Sequence, residues 1–169
     1  MEEKKPDDLQ LLRAQMQFPF EALSKAVDDL LWYQKLGNIA DIDTVRLIGP
    51  APKNTLAQPP QDRGNPVVFR AYTFVPKQID RGSKHPLLVY IHGGVHANFS
   101  TASGANIIKE LVEQGYVVIA PDYRGSTGYG PTFWKLIDYG GLEIEDTFAA
   151  RNWAVENMDI VDSSRVGII

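Results

Sequence analysis

The chain has 169 residues, 44% of them hydrophobic and 22% charged, with a net charge of −4 and no cysteine. This is the composition of a globular protein of about one domain, and its acidic balance argues against a nucleic-acid or anionic-membrane partner. Without cysteine there are no disulfides, no thiol catalysis and no cysteine metal site, and with three histidines besides, neither a metal nor another cofactor is expected.

The start, MEEKKPDDLQ, is charged and lacks the apolar centre of a secretory signal, so a cytoplasmic location is expected. No apolar run approaches the ~20 residues of a membrane helix. Residues 1–19 are polar and end in Pro19, which reads as a break after a loosely packed start. Leu23, Val27, Leu30 and Leu31 then recur at helical spacing over 21–36, with Gly37 as the C-terminal cap. A short strand is expected at 44–48. The stretch 49–66 carries five prolines and reads as a loop. Residues 67–75 are rich in β-branched and aromatic side chains and read as a strand ended by Pro76.

The pattern then changes. LLVYI (87–91), YVVIA (116–120) and RVGII (165–169) are continuous apolar runs, as in strands covered on both faces of a parallel sheet. Between them lie two helical patterns. The first is marked by Ile107, Ile108, Leu111 and Val112 and ends at Gly115. The second spans about 143–157, with Ile144, Phe148, Ala149, Trp153 and Val155 mainly on one side. VDSS (161–164) reads as the turn into the last strand. Strand, helix, strand, helix, strand means right-handed crossovers and parallel pairing.

In open α/β sheets ligands sit beyond the carboxyl ends of the strands. His92, Gly93, Gly94 and Val95 hold that place after LLVYI, and DYRGSTGYG holds it after YVVIA. Glycines there let backbone N–H groups approach a ligand, and two such groups aimed at one point can stabilise an oxyanion. A lone Gly-Gly is more readily a sharp turn. His92, at the strand end, is expected to point into the site; His85 and His96 read as solvent-facing. GSTGYG has the order G-x-x-G-x-G, not that of a dinucleotide or phosphate loop, and reads as structured loop. Arg124 suits a buried ion pair with Asp146 or Asp122. Glu143 and Glu145 fit the first turn of a helix, where negative charge complements the dipole. Phe133 and Trp134 suit either a pocket wall or core packing.

Three segments, PLLVYIHGGVHANF, GYVVIAPDYRGSTGYG and DTFAARNWAVENMDIVDSSRVGII, taken together and in order, resemble the catalytic domain of the prolyl oligopeptidase family of serine hydrolases, the S9 peptidases. The resemblance covers about residues 66–169. It implies the N-terminal part of an α/β-hydrolase fold, a mostly parallel sheet with helices on both faces, preceded by a small helical segment and proline-rich loop over 1–65. It further implies that His92 to Val95 form the oxyanion hole, that RGSTGYG supports the site, and that RVGII leads into the nucleophile.

The serine of a G-x-S-x-G elbow, and the acid and histidine that follow it, would then lie beyond Ile169. Ser100, Ser103 and Ser126 sit on no such elbow. Two departures stand out. His92 occupies the place where the oligopeptidases use a tyrosine, so either its side chain or the N–H of Gly94 or Val95 would be the donor. About 65 residues precede the domain, too few for a β-propeller, which favours small esters beside peptides. The expectation is a serine hydrolase cleaving peptide or ester acyl bonds through an acyl-serine intermediate. A carboxylesterase and a non-catalytic α/β ligand-binding module are the alternatives. Residues 1–169 alone are expected to be inactive and to leave RVGII as an exposed edge that the remainder of the catalytic domain would cover.

Overall fold

The computed structural model describes residues 8–53 and 67–169. Most of the expected proline-rich loop, 54–66, and residues 1–7 lie outside the described residues. The described chain opens with helix α1 (Asp8–Leu36), which runs straight through Pro19. The expected break does not occur. Proline removes one helical hydrogen bond, but the turns on both sides persist, and the Gln17 side chain reaches Glu21 across it at 3.0 Å.

The face of α1 that packs is also not the one expected. Leu23, Val27 and Leu30 are 64%, 51% and 70% exposed, while Lys25, Trp32 and Leu36 are buried. Helical spacing shows that residues share a face; only the neighbouring sheet decides which face is covered. Here the apolar stripe of Met16, Phe20, Leu23, Val27 and Leu30 points away from the domain.

Five strands form one sheet in the order β1-β2-β4-β3-β5. They are β1 (Ala40–Ile48), β2 (Val68–Pro76), β3 (His85–Val89), β4 (Val117–Asp122) and β5 (Val161–Ile168). The pairings β3–β4 and β3–β5 are parallel, as the apolar runs require, whereas β1–β2 and β2–β4 are antiparallel, so the sheet is mixed. Val117, Val118, Ile119 and Ala120 of β4 are all at 0% exposure, the mark of a strand covered on both faces.

The crossovers β3–α2–β4 and β4–α4–β5, through α2 (Thr101–Glu113) and α4 (Leu142–Asn157), leave their helices on opposite sides of the sheet. One core holds Trp32 and Leu36 of α1 with Ile108 and Val112 of α2. The other holds Ala150 and Ala154 of α4 against Phe69, Leu87 and Ile119. Together with the short α3 (Gly130–Trp134), this is part of an α/β-hydrolase-type architecture.

VDSS is the one expected turn that the structure places within a strand. Val161 pairs with His85 and Val166 with Leu87, so residues 162–165 bulge outward from β5. The turn chemistry is nevertheless present, because the Ser164 N–H donates to Asp162 Oδ1 at 2.9 Å. Among the described residues no helix is long and apolar enough to cross a membrane.

Candidate active site

Because the helices after β3 and β4 lie on opposite faces, the topological switch point falls between the carboxyl ends of these two strands. Two loops meet there, 90–100 from β3 and 123–130 from β4. They are joined by backbone and side-chain bonds. Thr127 N donates to Ala97 O at 2.8 Å, and Asn98 Nδ2 to Thr127 Oγ1 at 3.0 Å. His96 Nδ1 lies 2.8 Å from Gly125 O. Its ring stacks on Trp134 at 3.8 Å, so His96 is half-buried and serves loop packing. His85 bonds its own loop, with Nε2 2.7 Å from Asp80 O.

The glycine turn is tight. Gly94 adopts φ +77, a region L-residues enter at a cost, and its carbonyl accepts from Ala97 N at 3.0 Å. The Tyr123 hydroxyl donates to His92 O at 3.1 Å and lies 3.4 Å from Gly94 O, turning these carbonyls inward. Among the described residues, the N–H groups of Gly93, Gly94 and Val95 donate no hydrogen bond.

His92 does not point into the open site as expected. It is 4% exposed and stacks on Tyr123 at 4.4 Å, beneath its own loop. Its Nε2 lies 2.9 Å from Ser126 Oγ and 3.5 Å from Asp122 Oδ1. The trio has the residue types of a catalytic triad but not the geometry. In a triad the acid binds the ring nitrogen away from the serine, whereas here serine and acid share Nε2. Ser126 is wholly buried and donates its proton to Tyr123 O at 2.6 Å, leaving Oγ to accept from Nε2–H. Burial lowers the His92 pKa, which the nearby Asp122 charge only partly offsets, so the ring is neutral at pH 7.

Asp122, which ends β4, is at 0% exposure. It accepts from Phe99 N at 2.6 Å and from the Tyr129 hydroxyl. Burial pushes its pKa up against the pull of Lys25, His92, the Phe99 N–H and Tyr129. Arg124, beside it, makes the buried ion pair anticipated from the sequence, with Asp146 as partner. Its backbone N, Nε and Nη2 donate to that carboxylate at 3.0, 2.8 and 2.7 Å. In the first turn of α4, Glu143 accepts from the N–H groups of Gly140 and Gly141, as a helix start demands. Phe133 is buried in the core, and Trp134 packs on His96.

The residues that sequence reasoning missed come from α1. Lys25 contacts the first loop, Asp28 the first residue of α2 and Asp29 the side chains of β2, and nothing in their local pattern sets them apart from a solvated helical face. A cleft of about 710 Å³ opens beside Val95, lined by Val89, Ile91, Tyr123, Phe148 and Ile168 among others. Phe148 and Ile168 are 55% and 69% exposed there, beyond the unpaired edge of β5. Among the described residues no group of three or more His, Asp or Glu is arranged to hold a metal ion.

The sequence model of the prolyl oligopeptidase family matches residues 102–169. The chain is 34% identical over 104 residues to dipeptidyl-peptidase 5 of Aspergillus fumigatus, covering 60% of this chain and 14% of that protein. It is 30% identical over 104 residues to an uncharacterized peptidase of Bacillus subtilis, covering 60% of this chain and 16% of that one. Among solved structures, a puromycin-hydrolyzing peptidase of Mycobacterium tuberculosis superposes with a TM-score of 0.59 at 27% identity, over 76% of this chain and 18% of that one. Pyrococcus horikoshii acylaminoacyl peptidase gives 0.59 at 18% identity, over 77% and 19%, a likeness of fold. The chain thus spans about a seventh of the length of the curated relatives it matches.

Proposed function

From a chain that carries part of an α/β-hydrolase fold, residues 102–169 of which belong to the prolyl oligopeptidase family, we propose a contribution to a serine peptidase: the oxyanion loop of its catalytic domain. The observation that carries this reading is the turn at 93–95. It presents N–H groups of consecutive residues that have no partner among the described residues, at the switch point of the sheet. Attack on a peptide carbonyl places negative charge on its oxygen, and two backbone donors fixed at that point stabilise it without reorganising.

The donors in this reading are the N–H groups of Gly94 and Val95. The His92 side chain is occupied by Ser126 and Asp122, and it shapes the loop from beneath. The nucleophile comes from outside these residues. Ser126 is sealed, and Ser100 and Ser103 bond each other at the start of α2, with no histidine among the described residues hydrogen-bonded to either. The 710 Å³ cleft and the free edge of β5 are the surfaces that the remainder of the catalytic domain covers.

Fluorophosphonate labelling of the whole protein tests the serine mechanism, and absence of labelling refutes it. Turnover of short peptide amides against short acyl esters then separates peptidase from esterase. Residues 1–169 expressed alone are expected to hydrolyse no p-nitrophenyl ester, and measurable turnover sinks the assignment of the nucleophile elsewhere.

A further inference from the structure

We propose that Lys25 of α1 is a positioning residue for the oxyanion loop, holding residues 92–100 through Phe99 and Asp122. The inference rests on the function proposed above and extends it to a helix outside the family-matched residues.

Lys25 is 3% exposed, although it is a lysine on a helix whose opposite face is open to solvent. Its Nζ donates to Phe99 O at 2.9 Å and to Asp29 Oδ1 at 2.8 Å, and stands 3.5 Å from Asp122 Oδ2. The ammonium also lies 4.4 Å from the centre of the Tyr72 ring. Burial alone would favour the neutral amine, but Asp122, Tyr72 and Asp29 outweigh it, and the Lys25 pKa ends above its ordinary value. The charge is therefore permanent at any pH of interest.

The contacts on the loop side fall at both of its ends. Phe99 has both backbone groups taken, its N–H by Asp122 and its carbonyl by Lys25, while its ring stacks on Trp32 of α1 at 4.5 Å. Two residues on, Asp28 of α1 accepts from Thr101 N at 3.0 Å and from Thr101 Oγ1 at 2.5 Å, capping α2 from another helix. At the near end His92 faces the same Asp122. Lys25 touches the second loop as well. Gly128 has φ +92, and a Cβ built there would lie 2.7 Å from Lys25 Cβ, so the 125–130 loop rests on the lysine stem.

Asp122 is thus the anchor of both loops, and Lys25 supplies the cation that opposes the effect of burial on its carboxyl. The other groups facing that carboxyl are Tyr72 from β2, His92 and the Phe99 N–H from the first loop, and Tyr129 from the second. None of them carries a permanent positive charge. Removing the ammonium frees the Phe99 carbonyl and lets Asp122 hold a proton to higher pH. Both changes loosen the turn that carries Gly94 and Val95.

The test uses the whole protein. Absence of fluorophosphonate labelling in the unmodified protein refutes the serine-hydrolase reading and this role falls with it; labelling keeps that reading and leaves the role to the variants. Lys25→Met is expected to lower kcat by about 10²-fold with little change in KM, as loss of transition-state stabilisation does. It should move the acidic limb of the kcat/KM profile up by about one pH unit or more, and speed amide exchange at Ala97 and Thr127, whose N–H groups tie the turn and the second loop, but not in β4. Lys25→Arg, which keeps the charge, should keep the position of the limb.

Where Lys25→Met does not fold, the pair Lys25→Met with Asp122→Asn removes both buried charges together and restores folding. Its kcat should stay low, because Phe99 O remains untied, and its acidic limb should not move upward. Unchanged kcat and pH profile in folded Lys25→Met, or an unchanged kcat in the paired variant, overturns the proposal.

Discussion

Replacing Asp146 with alanine tests how firmly the loop after β4 is tied to α4. Arg124 and Asp146 are both at 0% exposure and share three hydrogen bonds, one from the Arg124 backbone and two from its guanidinium. Among the described residues, the guanidinium without the carboxylate keeps one partner, Pro50 O at 2.9 Å, and its Nη1 has none even in the intact structure. Stranding one member of a buried pair costs about 3–5 kcal/mol, a factor of roughly 10²–10⁴ in the folding equilibrium. Urea unfolding of the whole protein, followed by a probe on this domain with the m-value held, measures it. Arg124→Met with Asp146→Leu removes both charges and leaves the Arg124 N–H and the part-buried Pro50 carbonyl without these partners, at about 1–3 kcal/mol for a buried group. A loss of about 1 kcal/mol or less in Asp146→Ala, the range of a surface pair, refutes the reasoning, as does a double variant weaker than the single.

Gly94→Ala should cost about 1–2 kcal/mol, because φ +77 is strained for any side chain although the space is open, with Ala97 Cβ at 3.4 Å. Gly93→Ala is the control: nothing lies within 4 Å of its added Cβ, its φ is not positive, and near-neutral stability is expected. For His92, NMR titration of the ring should give a midpoint below the ordinary 6.5, since burial opposes the charged form. The unfolded chain then takes up this proton first, so stability is full above the ordinary value and is lost as pH falls toward the folded one. The slope approaches about 1.4 kcal/mol per pH unit, and His92→Phe should abolish that part of it; an unaltered slope in the variant contradicts the burial argument.

Much of the architecture could be read locally. LLVYI, YVVIA and RVGII announce buried parallel strands because a strand covered on both faces has no polar side to show. Gly94, Gly125, Gly128 and Gly130 mark turns because each takes a positive φ. Arg124 beside a helix bearing Asp146 signals an ion pair because a guanidinium inside a fold must be matched. These properties belong to one or two neighbouring elements.

Tertiary structure alone decided the rest. Apolar spacing in α1 suggested that Leu23, Val27 and Leu30 face the core, yet the sheet receives the opposite side, with Lys25 buried against partners as distant in the chain as Asp122. The sequence places His92 at the end of a strand, whereas in the structure it lies in the loop after β3, where the packed Tyr123 and Ser126 turn it inward. The sequence by itself determined the three buried strands and the two helices between them, and that the loop after β3 is built on glycine. Which face of α1 is covered, and which atoms of the 92–95 turn are left to bind, depended on charges brought together over long loops, where desolvation makes every unpaired group costly.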